Sequence, residues 1–374
     1  MGMLAPKPVP RFEQLDAMRW GFAAIVVLGH SAGFYGPIAA GGHAVDFFFV
    51  LSGFVLQHSL EQRPTNWARF AAARAARLAP LHFATLFLMV GVFLTTGDGR
   101  IPDYDIGATA SFLLNLMMLQ AVGFKNELSF NFPAWSISTE IVINLTAFYV
   151  VSKYRAYAAA GGLALVTYLL LYRHFGAFGH VHTDDMLLFS GGLARTFAGV
   201  LAGVSAYGVY RFLAAGLTAP GPRERWIYTG LEAVMLATVL FLMSATANGD
   251  KLVLVLLTPA TVILFAMGRG WLSRAAALQP FAYLGALSYG VYLIHYPIIV
   301  ALERSGAIPN DGGTTWVTAL LLVGVSTLLT VPVYHGLEIP AKRRLTAFAQ
   351  QRIAWLERDR SASQTGVRRT MPAE

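Results

Sequence analysis

Eleven apolar stretches succeed one another along the 374-residue chain, at about 16–35, 44–60, 78–96, 106–122, 135–151, 158–171, 186–210, 226–245, 252–267, 281–302 and 315–335. No other feature constrains the fold as tightly. One soluble core cannot hold that much apolar surface. A bilayer solvates it, and a helix of about 20 apolar residues satisfies its own backbone while crossing. Hydrophobic residues make up 56% of the chain and charged ones only 13%, about half the charge of a soluble domain. The sequence therefore predicts an all-α, polytopic integral membrane protein.

The basic residues set the expected topology. If the fourth run, 106–122, does not cross, the loops on one side and the two termini carry 22 of the 28 Lys and Arg, and the loops on the other side carry five. Cytoplasmic loops hold the excess of basic residues. The expectation is about ten transmembrane helices with both termini cytoplasmic, and 106–122 as a re-entrant or interfacial helix at the outer face. That run follows an acidic loop and contains Ser111 and Asn115. Residues 1–340 form the expected membrane domain, and 341–374 an expected flexible basic tail, attracted to anionic lipid headgroups. The first run has no small-residue cleavage site and is expected to be a retained helix.

The chain contains no cysteine, which excludes disulfides, thiolate metal sites and a cysteine nucleophile. No metal is expected. His174, His180 and His182, with Asp184 and Asp185, read as a solvated outer loop. Nothing in the sequence points to nucleic acid.

Charges inside apolar runs are costly, so each is a candidate functional residue. They are Arg19, His30, Asp46, Glu140, Arg195, His295 and Glu338. Arg19 and His30 are eleven residues apart, close to three helical turns. They therefore share a face, with a rise of about 16 Å between them. A guanidinium at the mouth suits phosphate, and an imidazole deep in the helix suits removal of a hydroxyl proton. An elongated ligand with an anionic head and a reactive tail fits this pair, and a coenzyme A thioester has that shape. Asp46, at the outer end of the second run, could orient an imidazole or simply favour a helix N-terminus. Arg74 and Arg77 share a helix face and could grip phosphate or only signal topology. Ser52 and Gly53 permit close helix approach, and Gly199-x3-Gly203 reads as packing within the chain.

Several stretches resemble one known family. They are Leu15-Asp16-Ala17-Met18-Arg19 with His30, residues 45–54, Arg74-x2-Arg77-x2-Pro80, Pro133-Ala134-Trp135-Ser136-Ile137-Ser138-Thr139-Glu140, Arg195-x3-Gly199-x3-Gly203, residues 287–297, and Glu338-Ile339-Pro340. In order and spacing the chain resembles the acyltransferase-3 family of membrane-bound O-acyltransferases, which includes bacterial O-antigen and exopolysaccharide acetylases. The resemblance implies a ten-helix core in the bacterial inner membrane, with acetyl-CoA as donor and a glycan or lipid-linked saccharide as acceptor. It implies that His30 is catalytic, with Asp46 and Glu140 in the catalytic group. Arg19, Arg74, Arg77 and Arg195 would serve the donor, and Ser52, Tyr292, His295 and Glu338 would support substrate or structure. Glu140 and Arg195 could form a buried ion pair, and His295 could bond a backbone carbonyl freed by Pro297. The competing class is a transporter or flippase of a glycan or lipid-linked substrate, since ten helices with buried charges suit that as well.

Overall fold

The computed structural model describes residues 11–32, 41–124, 127–176, 185–186, 189–244, 248–309 and 314–364. They form helices α1 (Glu13–Ala32), α2 (Ala44–Gln62), α3 (Trp67–Thr95), α4 (Ala108–Leu116), α5 (Trp135–Ile143), α6 (Tyr149–Lys153), α7 (Tyr157–Phe175), α8 (Gly191–Ala214), α9 (Pro222–Ser244), α10 (Asn248–Ala266), α11 (Trp271–Ala276), α12 (Gln279–Arg304), α13 (Trp316–Val333) and α14 (Ile339–Gln364). A two-residue antiparallel ladder, Asp185–Met186 with Phe189–Ser190, precedes α8. Among the described residues, seven stretches are long and apolar enough to cross a membrane: Gly41–Gln62, Trp67–Thr95, Phe132–Lys153, Gly191–Ala214, Pro222–Ser244, Gln279–Arg304 and Trp316–Arg358. The protein is a polytopic helical membrane protein. The expected spans in α1, α7 and α10 are present as helices of 20, 19 and 19 residues. Helix α4 has nine residues, about 14 Å of rise against a hydrocarbon core of about 30 Å.

Polar caps start three of the long helices. Asn66, Ser190 and Thr315 each accept the backbone N–H three residues on, filling an orphan donor of the first turn. Prolines stand inside α3, α10, α12 and α13, and each frees a carbonyl one turn back from its helical donor. In α12, Pro297 cannot donate to the carbonyl of Leu293, and Asn131 Nδ2 donates to it instead at 2.9 Å. That bond fastens the loop before α5 to α12. Two π-turns, Asn144–Phe148 after α5 and Tyr334–Glu338 between α13 and α14, widen the backbone; such bulges are frequent at functional sites.

Helix α1 packs along α12, and α2 and α7 pack along α8. The α2–α8 contact is backbone against backbone: a Cβ at Gly203 would sit 2.0 Å from the carbonyl oxygen of Val50, and one at Gly53 equally close to that of Val200. Gly199-x3-Gly203 thus packs helices within the chain, as expected. Outward, Trp226, Ile227, Val234 and Phe241 of α9 and Val317, Leu320, Leu321 and Leu328 of α13 are exposed, the surface a bilayer covers. Residues 341–364, expected as flexible tail, continue α13 as a helix. Ala, Arg, Gln and Leu in this stretch favour that state, and Glu357 ties it to α3 through Arg69 at 2.6 Å and Asn66 at 3.0 Å.

Candidate active site

A cavity of about 150 Å³ opens between α1, α2, α3, α5 and α12, and Arg19, Arg74, Arg77, Ser52, Glu140 and Tyr292 line it. Arg74 and Arg77 are one turn apart on α3 and both face it. Arg74 donates to Glu140 Oε1 at 2.7 Å; Ser52 Oγ donates to the same oxygen at 2.7 Å and Asn144 Nδ2 at 3.2 Å. Arg77 donates to Glu338 and lies over the Tyr289 ring at 4.9 Å. Arg19 stands 3.6 Å from Asp16. Each π-turn adjoins one of the acids that hold these arginines: Glu140 lies just before the first, and Glu338 closes the second. Glu140 and Glu338 thus aim guanidinium groups. The side chains of Arg19, Arg74 and Arg77 keep 29, 14 and 20% of their surface exposed, so an anionic ligand can reach them.

Two residues near this cavity, Lys342 and Ser288, escaped the reading of the sequence. Lys342 lies within electrostatic reach of Arg77, Arg11, Arg74 and Arg19, which makes one basic cluster from α1, its preceding arm, α3 and α14. In the sequence Lys342 looked like one more tail charge. Only the continuation of α13 through its π-turn into α14 brings it to α3. Ser288 also lines the cavity, and its buried Oγ has no partner; its place in the 287–297 motif was the available signal.

Beyond Tyr292 lies an aromatic and imidazole-bearing cluster, and its His30 and His295 do not line the cavity. Tyr292 shares a hydrogen bond with Ser136 Oγ at 2.8 Å and donates to the carbonyl of Pro133 at 3.0 Å. Its ring is 6.2 Å from that of His295. His295 Nε2 and His30 Nδ1 are 2.9 Å apart, with the two rings within 7° of coplanar. Phe132 and Tyr296 meet the His30 ring edge-on at 5.7 and 5.9 Å. His295 does not use the carbonyl freed by Pro297, which Asn131 takes. It bonds the carbonyl of Val291 at 3.1 Å.

Asp46 and Arg195 sit elsewhere. Asp46 does not touch His30. Arg195 donates to both of its oxygens at 2.8 and 2.7 Å, and His43 Nδ1 lies 2.8 Å from Oδ2. Both side chains are sealed, at 2 and 0% exposure. Arg195 does not line the cavity and does not pair with Glu140. Its guanidinium is taken up by Asp46 and the carbonyl of Gly42, because α8 presses it against the start of α2. Its partner is an acid of α2, where sequence reasoning placed one on α5. Among the described residues no group of three or more His, Asp or Glu could hold a metal; His180, His182 and Asp184 lie outside them.

A family described as an acyltransferase domain of the acyltransferase-3 type matches residues 12–335. The chain belongs to the acyltransferase-3 family. The acyltransferase is 32% identical over 158 residues to protein 2 of the picA locus of Rhizobium radiobacter, covering 38% of this chain and 83% of that one. It is 32% identical over 168 residues to acyltransferase MdmB of Streptomyces mycarofaciens, 38% of this chain and 39% of the relative. To BcsY of Komagataeibacter xylinus, whose name describes a membrane-bound transacylase, it is 25% identical over 369 residues, 93 and 88% of the two chains. No solved structure matches it. The family makes this multi-pass membrane protein an enzyme, an acyltransferase.

Proposed function

We propose that this acyltransferase moves an acyl group, acetyl in the first instance, from cytoplasmic acyl-CoA to a hydroxyl of an extracytoplasmic glycan or lipid-linked saccharide. Its place is the bacterial inner membrane, with ten spans, both termini inside and 106–122 at the outer face. The observation that carries this reading is the arrangement on α1. Arg19 joins Arg74 and Arg77 on the wall of one cavity, while His30 sits on the same helix about 16 Å further along. Phosphates of the donor bind the arginines through charge-assisted bonds, with Lys342 and Arg11 adding to the local field. The pantetheine arm then follows α1 past Tyr292 towards His30.

At His30 the imidazole takes the proton of the acceptor hydroxyl. The oxygen attacks the thioester carbonyl, the C–S bond breaks, and the imidazolium returns the proton to the departing thiolate. Transfer through an acyl-His30 intermediate uses the same residue as nucleophile. Glu140 and Glu338 act by holding Arg74 and Arg77, Ser52 by holding Glu140, and Asp46 with Arg195 by holding α2 against α8. Membranes carrying His30→Ala or Arg19→Ala at wild-type abundance, given labelled acetyl-CoA, test this. The His30 variant is expected to transfer no label and the Arg19 variant to need far more donor. Full transfer by the His30 variant sinks the mechanism. Mass spectrometry of surface glycans with and without the protein identifies the acceptor.

A further inference from the structure

We propose that His295 is a positioning residue that sets the tautomer of His30 and so places the reactive lone pair on His30 Nε2; this rests on the reading of His30 as the catalytic base or nucleophile. The oxygen of Val291 can only accept, so His295 Nδ1, 3.1 Å away, carries the proton. His295 is fully buried, and neither of its hydrogen-bond partners is a carboxylate. A second proton on its ring would be a buried charge without a counter-ion, which is costly. Its Nε2 is therefore an acceptor. His30 Nδ1, at 2.9 Å in the same plane, must be the donor. In a neutral imidazole with its proton on Nδ1, the lone pair is on Nε2.

The helices are built to hold this chain of donors. A Cβ at Gly285 would fall 2.1 Å from the carbonyl oxygen of Asp16, so α12 lies against the backbone of α1. Asn131 fastens the loop before α5 to α12 at Leu293, which lies between Val291 and His295 in the chain. When His30 Nε2 takes a proton, the Nδ1–H bond to His295 stabilises the resulting imidazolium. No proton need pass through His295, whose own N–H meets a carbonyl that cannot keep one. His295 thus does what a buried carboxylate does for a catalytic histidine elsewhere, as a neutral orienter. The reversed tautomer would set the His295 Nδ1 lone pair against the carbonyl oxygen of Val291, which is repulsive.

The test uses the full chain in membranes or detergent. His295→Leu removes the acceptor, and His295→Gln can keep a carbonyl oxygen near the position of Nε2. The Leu variant is expected to lose about 100-fold or more in kcat, by analogy with loss of the orienting group in other histidine-based sites, with donor and acceptor KM nearly unchanged. The Gln variant should recover at least about tenfold of that loss, since an acceptor again meets His30 Nδ1. Histidine-selective 15N NMR, with the His30 signal assigned by its loss in His30→Ala, should show the Nδ1–H form in the wild type. It should show a shift towards Nε2–H in the Leu variant. An Nε2–H form in the wild type, or a Leu variant with wild-type kcat, overturns the proposal. If His30→Ala stays active while the NMR still reports Nδ1–H, it is the catalytic reading of His30 that fails, and with it the role of His295 in turnover.

Discussion

Two sets of arginine–carboxylate pairs lie within this membrane domain, and they differ in one respect. Asp46 and Arg195 are sealed, with His43 and the carbonyl of Gly42 completing their bonds. Arg74–Glu140 and Arg77–Glu338 are paired as closely, yet their guanidinium groups line a cavity and stay partly exposed. The chemistry is the same; access is not. A sealed pair fixes how two helices meet, and its cost in desolvation is recovered only while both partners are present. An open pair keeps a cation oriented for something that has yet to arrive. The acid beside it limits how strongly it repels its neighbours when the cavity is empty.

The comparison is most easily broken at the sealed pair. Asp46→Asn leaves Arg195 buried and half-compensated, with an expected loss of about 3–5 kcal/mol, read as a large fall in the thermal midpoint of detergent-solubilised protein. Asp46→Leu with Arg195→Met should be far less damaging than either change alone. If Asp46→Asn instead kept its midpoint and lost activity only, the pair would belong to the chemistry. At the open cluster the pattern should reverse. Arg19→Gln strands no buried acid, since Asp16 is itself partly exposed. Donor KM should rise by roughly 10- to 100-fold, the value of one charge-assisted bond of about 1.5–3 kcal/mol, with the midpoint unchanged. Asn131→Ala falls between the two. It leaves the carbonyl of Leu293 without its donor, at about 1–3 kcal/mol, and loosens the loop that brings Phe132 to His30, so both midpoint and kcat should drop modestly.

The difference between the two sets could not be read from the sequence. Both presented as a charge in an apolar run, and such a charge marks a functional candidate without saying whether it faces a cavity or a partner. What could be read was local. Apolar length announced the helices, and eleven-residue spacing put Arg19 and His30 on one face. Small residues announced close helix approach at Gly53 and at Gly199-x3-Gly203, but not that α2 and α8 would meet there. What could not be read depends on contacts across long stretches of chain. Arg195 meets Asp46, 149 residues away, because of how α8 lies on α2. His295 meets His30, 265 residues away, because Gly285 lets α12 approach α1. Lys342 reaches Arg74 and Arg77 only because the π-turn carries α13 on into α14. The freed carbonyl behind Pro297 was legible as a vacancy in a ladder, but its occupant, Asn131, was not.

The smallest expected effect comes from a further arginine–carboxylate pair, at the end of α3. Arg304 donates to Asp98 Oδ1 at 2.6 Å and also to the carbonyls of Thr96 and Arg100, each at 3.2 Å. Here the acid is fully exposed while the guanidinium closes the C-terminal turn. The bond from Arg304 holds the Asp98 carboxyl below its ordinary value. Such a contact is fully present above the ordinary carboxylate range and is lost as the pH falls through the lowered folded value. Exposed pairs contribute little, so Asp98→Asn should leave the thermal midpoint at pH 7 almost unchanged, with even that difference gone in acid. Arg304→Ala should cost more at every pH, because it also strips the donors from the helix-end carbonyls. Equal effects of the two changes would mean that the ion pair, and not the capping of α3, is what the arginine is for. That would bring this pair into line with the sealed one despite its exposure.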